Sequence, residues 1–131
     1  MLGGTGMRTR VVEAPGIRAE AVGYSPGVVA EGQRWLFLSG QVPQDLDADM
    51  RTQIRQVFEQ IRELLEAGGA TWEDVVMLRA YFVDLERDLS LFREVRREFL
   101  TPPYPAATVV GVSALAHEGL QVEIEAVAVA T

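Results

Sequence analysis

The sequence predicts a two-layer α+β sandwich. Three observations carry that expectation. Two stretches repeat apolar residues at the helical spacing i, i+3, i+4. Six short runs rich in β-branched and aromatic residues read as strands. The order strand, strand, strand, helix, strand, helix, strand, strand fits one mixed sheet with both helices on one face. At 131 residues the chain makes one domain, long enough to bury an ordinary core without staples. Residues 1–8 are expected to be a disordered N-terminal extension and 9–131 the domain, with Met7 as an alternative start.

Arg10–Glu13 reads as the first strand, ended by Pro15-Gly16. Gly23-Tyr24-Ser25-Pro26-Gly27 is a loop. Val28–Ala30 and Trp35–Ser39 are expected to form a hairpin around Glu31–Arg34, broken by Gly40-Gln41-Val42-Pro43. From Asp49 to Ala67, the residues Ile54, Val57, Phe58, Ile61, Leu64 and Leu65 form one stripe of a helix. Asp47 or Asp49 caps its start, and Gly68-Gly69 closes its end. Thr71–Asp74 is a capped turn into a strand at Val75–Val83. A second helix over Leu89–Leu100 turns Leu89, Phe92, Val95 and Phe99 inward and stops at Pro102-Pro103. Thr108–Val112 and Leu120–Ala130 close the sheet.

The last strand is apolar on both faces, so the sheet face away from the helices must also be covered. With no helix to spare, the cover expected is another subunit.

Composition removes several classes of chemistry. There is no cysteine, hence no disulfide framework, thiolate zinc site or cysteine nucleophile. All twelve basic residues are arginine, which leaves no lysine for a Schiff base or phosphate loop. One histidine, His117, cannot make a His-rich metal cluster. A net charge of −7 disfavours a nucleic-acid grip and an anionic membrane surface. No stretch approaches the ~18 apolar residues of a membrane span, and the glycines near the start do not suit a signal peptide. A cytoplasmic protein is the expectation.

Few residues are left to carry chemistry. Glu123 and Glu125 fall on one face of a strand, roughly 7 Å apart at two residues' rise. They are either a charged solvent face or include a carboxyl general acid/base in a subunit cleft. Tyr24 is either loop packing or a hydroxyl donor. Ser39-Gly40-Gln41 is either a plain turn or a place where backbone faces a ligand. Arg93, Arg96 and Arg97 read most simply as a solvated helix face paired with Glu94 and Glu98, although Arg93, next to inward Phe92, could point along a subunit seam.

The order of these pieces says more than each alone. Gly23-Tyr24-Ser25, Phe37-Leu38-Ser39-Gly40-Gln41-Val42-Pro43 and Arg55-Gln56-Val57-Phe58-Glu59-Gln60-Ile61 resemble the Rid family, also called YjgF, RidA-like or L-PSP endoribonuclease-like. Leu64-Leu65-Glu66-Ala67-Gly68-Gly69, Trp72-Glu73-Asp74-Val75-Val76, Tyr104-Pro105-Ala106-Ala107-Thr108 and Val122-Glu123-Ile124-Glu125-Ala126-Val127-Ala128 extend the resemblance from Ala21 to Ala130.

The resemblance implies a chorismate-mutase-like fold and a homotrimer whose sheets form a central barrel, with small-molecule ligands at the subunit interfaces. It also implies cofactor-independent hydrolysis of imine/enamine intermediates such as 2-aminoacrylate, a deaminase reaction needing no metal. Glu123 matches the family's proton-transferring glutamate and Tyr24 its cleft tyrosine, while the backbone near Gly40 and Thr108 is expected to line the same pocket. The chain departs from the pattern where the family places its carboxylate-gripping arginine, because that position is Ala107. Arg93 falls about where many members carry an asparagine. Two expectations follow: a divergent member that handles another small ligand and is no efficient 2-aminoacrylate deaminase, or a deaminase in which Arg93 replaces the lost guanidinium. A non-catalytic binding or chaperone-like trimer is a third reading, and RNA cleavage is disfavoured by charge.

Overall fold

The computed structural model describes residues 8–17 and 23–131. Residues 1–7 of the expected extension and residues 18–22 therefore lie outside the described residues, and Arg8, expected in the extension, begins the first strand. The elements are β1 (Arg8–Val12), β2 (Gly27–Ala30), β3 (Arg34–Gln41), α1 (Met50–Ala67), β4 (Val75–Phe82), α2 (Leu85–Phe99), β5 (Ala106–Gly111) and β6 (Val122–Ala130), with a 3-10 turn at Trp72–Asp74.

The main sheet has the order β3-β6-β4-β5; β4 and β5 run parallel and the other pairs antiparallel. The long last strand is thus central, and the parallel pair is joined by α2. The expected hairpin between Val28–Ala30 and Trp35–Ser39 is not formed. β2 pairs with β1 instead, in a separate two-stranded sheet, and β3 pairs with β6. The intervening loop is held to the main sheet, with Gln33 donating its N–H to the Ala130 carbonyl at 3.1 Å.

Helix α1 starts where Asp49 accepts the Thr52 N–H at 2.8 Å. It ends at Gly68, followed by Gly69 at φ +81°, a backbone angle that suits glycine. Its inner stripe is Ile54, Val57, Phe58, Ile61 and Leu65; Leu64, expected inside, is 39% exposed. Helix α2 begins four residues earlier than the apolar spacing implies. Asp84 caps it through the Arg87 N–H, and Leu85 packs against the core.

Both helices cover one sheet face. Phe58 is wholly buried at the centre, against Trp72, Phe92 and Phe99 at ring separations of 5.0–6.0 Å. Alternate residues of β6, from Val122 to Ala130, point into this core. Paired charges tie the helices together outside: Arg51 with Glu94 at 2.6 Å, and Arg55 in a two-bonded pair with Glu98 at 2.8 and 3.0 Å. Glu94 and Glu98 therefore serve α1, not the arginines of their own helix.

The other face is open in the protomer. At one end it exposes Trp35 and Phe37, 55% and 73% accessible and stacked at 6.2 Å. At the other end lie the polar side chains of β4 and β6.

Candidate functional site

The Tyr24 loop is fastened to the start of β5. Ser25 donates its N–H to the Pro105 carbonyl at 2.9 Å and its hydroxyl to the Tyr104 carbonyl, and Ser25 bridges to Ala106. This anchoring sets Tyr24 beside Ala107. Ala107 and Val109 alternate toward the helix layer, where α2 lies over them. Between loop, helix and strand is a cavity of about 200 Å³. Its walls are Tyr24, Leu85, Leu89, Phe92, Arg93, Arg96, Ala107 and Val109. Three of the residues singled out from sequence, Tyr24, Arg93 and Ala107, meet here.

Arg96 was expected on a solvated face with Arg93 and Arg97. It is instead buried, 4% exposed, with its guanidinium 4.9 Å above the Phe92 ring. Burial pushes its pKa down, and the neighbouring Arg93 and Arg97 push the same way. Arg93 and Arg97 are themselves exposed. A run of charges on a helix gives no signal to separate these three. The one available was the i, i+4 relation of Arg96 to inward Phe92.

Glu123 lies elsewhere. It projects from the open sheet face, opposite Tyr81 in register, as Glu125 lies opposite Arg79. Arg79 and Tyr81 both go to Glu125, at 3.2 and 2.9 Å, and neither goes to Glu123. That bond to Glu125 raises the Tyr81 pKa, with burial adding to it, so the phenol stays a proton donor. Gly40 belongs with Glu123. The β3–β6 register slips between Leu38 and Gln41, and a Cβ on Gly40 would stand 1.9 Å from a Glu123 carboxylate oxygen. Thr108 faces outward, paired in register with Arg79, so its side chain does not line the cavity with Ala107. Within one protomer, then, Tyr24, Arg93 and Ala107 form one group and Glu123 with Gly40 another, on opposite faces of the sheet.

A core of this architecture is shared with known proteins. The chain belongs to the family described as Endoribonuclease L-PSP, whose pattern it matches over residues 16–130. The RutC family protein PH0854 of Pyrococcus horikoshii is 37% identical over 111 residues, covering 80% of this chain and 85% of the relative. The 2-iminobutanoate/2-iminopropanoate deaminase of Dermatophagoides farinae is 28% identical over 126 residues, 92% of this chain and 95% of that one. Among solved structures, the Rid-family protein YyfB of Yersinia pestis superposes with a TM-score of 0.82 at 30% identity, over 94% of this chain and 99% of that one. The Rid/YjgF assignment and its α+β fold, expected from the motifs, hold. Among the described residues no helix is long and apolar enough to cross a membrane.

Proposed function

We propose that the protein is an atypical Rid-family member that takes a small ligand in the α2–β5 cavity and is a poor 2-aminoacrylate deaminase. The observation that carries this is Ala107. It forms the cavity wall at the position where the family resemblance places a carboxylate-gripping arginine. Replacing a guanidinium by a methyl group removes a charge-assisted contact of roughly 1.5–3 kcal/mol and widens the cavity.

The working assembly in this reading is a cytoplasmic homotrimer without a cofactor. Its clefts would join the cavity of one protomer to the Glu123 face of the next. Two features of the protomer support a closed assembly: the exposed Trp35–Phe37 stack on the open sheet face, and the separation of Glu123 from the cavity. Glu123 would act as general acid/base or position a water.

A second reading is a working imine/enamine deaminase with its guanidinium drawn from α2. It is favoured by Arg93 on the same cavity and by the name of the mite relative. Ligand binding without turnover would need Glu123 to be dispensable. RNA cleavage fits poorly with a net charge of −7.

The deciding experiment is ammonia release from 2-aminoacrylate generated in situ, with native protein beside Ala107→Arg and an arginine-containing family member as control. Near-silent native protein and restored turnover in Ala107→Arg support an intact cleft put to another use. Full native turnover overturns the proposal in favour of the second reading.

A further inference from the structure

Glu123 and Glu125 stand side by side on the open sheet face, yet their surroundings differ. In register, Tyr81 lies opposite Glu123 and Arg79 opposite Glu125. Diagonal neighbours across an antiparallel pair are about 7–8 Å apart, within reach of a long side chain. Arg79 and Tyr81 therefore each have both carboxylates in range. Both take Glu125: the Arg79 guanidinium donates to Oε2 at 3.2 Å and the Tyr81 hydroxyl to Oε1 at 2.9 Å. Tyr81 thus passes over its direct partner Glu123 and reaches diagonally, so that each Glu125 oxygen holds one donor.

Glu123 is left with neither. Among the described residues it accepts no hydrogen bond and joins no ion pair. Its carboxylate lies toward β3, over Gly40, where the absence of a Cβ gives it room. A carboxylate closed in an ion pair has its lone pairs filled and its charge stabilised, which makes it a poorer proton acceptor. The Arg79–Glu125 pair is partly exposed, 43% and 34% accessible at the two side chains, so it adds little to stability. Its consequence for the site is to decide which of two adjacent carboxylates stays free.

We infer that Glu125 is a positioning residue for Glu123: by taking both Arg79 and Tyr81 it keeps the neighbouring guanidinium from closing on Glu123, and leaves that carboxylate free to exchange a proton. This rests on the proposal above that Glu123 is the acid/base of the ligand site. The two glutamates of the Glu-Ile-Glu run then have separate tasks, one free for chemistry and the other holding the nearby donors away from it.

The test is carbodiimide coupling of glycinamide to the carboxylates of the full chain, read at Glu123 by tandem mass spectrometry. Native protein, Glu125→Gln, Arg79→Met and the double variant are compared, each with an unchanged circular dichroism spectrum and molecular mass. Glu123 should be modified in native protein and in Arg79→Met. In Glu125→Gln its modification should fall about threefold, the population shift of a partly exposed ion pair, as Arg79 turns to it. In the double variant it should return to the native extent, a recovery that a merely disturbed strand would not give. The inference is overturned if Glu123 is unmodified in native protein, if Glu125→Gln leaves its modification unchanged, or if removing Arg79 as well brings no recovery. Should Glu125→Gln not fold, Glu125→Thr takes its place, a strand-forming side chain too short to hold Arg79, with the same loss and recovery required.

Ammonia release by the same proteins separates this from the role given to Glu123. Glu125→Gln should lower any turnover and the double variant restore it. Undiminished turnover in Glu123→Gln overturns the acid/base role itself, while the labelling cycle, which needs no turnover, still decides whether Glu125 holds Arg79 away.

Discussion

The carboxylate of Glu123 lies directly over the α-carbon of Gly40, so close that a Cβ there would stand 1.9 Å from Oε2 and 2.7 Å from Cγ and Cδ. Glycine at position 40 is therefore what admits the Glu123 side chain in this orientation. Gly40→Ala must displace the carboxylate or push β3 away from β6. Overpacking of this kind typically costs about 1–3 kcal/mol. An unfolding free energy from chemical denaturation lowered by that amount, with any turnover reduced, is the expected result; an unperturbed variant would mean the carboxylate has another place to rest.

Glu123→Gln keeps the volume of the side chain and removes its charge. Assembly should be unchanged while any hydrolytic turnover is lost, read by light scattering and ammonia release on one preparation. Undiminished turnover would remove Glu123 from the chemistry. The neighbouring Glu125→Gln makes an informative contrast, since it strips Arg79 and Tyr81 of their shared acceptor. Any turnover it loses should return when Arg79→Met is added.

The proposed trimer sets the mass. Size-exclusion with light scattering should report about three times 14.4 kDa. Trp35→Ser combined with Phe37→Ser should shift that mass toward one protomer, because both rings lie on the uncovered face. A native monomer would remove the inter-subunit cleft from the proposal.

The core prediction concerns Phe58. Its ring is wholly buried among three others, so Phe58→Ala should cost roughly 3–5 kcal/mol, measured by urea unfolding. A loss below about 1 kcal/mol would show that the neighbouring rings collapse into the space.

Acid sensitivity should trace to the link between the helices. Its hydrogen bonds from Arg55 hold the Glu98 carboxyl below the usual glutamate value. A depressed folded-state pKa contributes stability that is present above the unfolded value and is lost as pH falls through the folded one. The Tm gap between native protein and Glu98→Gln should therefore be open near neutrality and close as pH falls from about 5 toward 3. The pair is solvent-exposed, so added salt should narrow the gap at neutral pH as well.

What the residues disclosed in advance follows a physical division. The α1 stripe, its Asp49 cap and the Gly68-Gly69 end are local patterns, and the fold reproduces them. Leu64 was misplaced because it borders a stripe whose far edge is set by where α2 packs. The start of α2 was missed because its first turn is polar apart from Leu85. The pairing of β2 with β1 was beyond local reading: which neighbour a short strand takes depends on β6, nearly a hundred residues later, claiming β3. At the site, Tyr24, Arg93 and Ala107 were found through the order of motifs, and the fold brings them to one cavity. Arg96 does not stand out because adjacent arginines on a helix look alike in sequence, while of the three only Arg96 is buried.

The two tryptophans give the molecule a pair of separate optical reporters. Trp72 packs at a tilt against Phe58 and Phe99 on the helix side of the sheet, whereas Trp35 stands in the open on the other side. Emission from Trp72 follows the integrity of the interior, and emission from Trp35 follows whatever settles on the bare strands. With Trp35→Phe and Trp72→Phe in hand, dissociation and unfolding become two distinguishable spectral events.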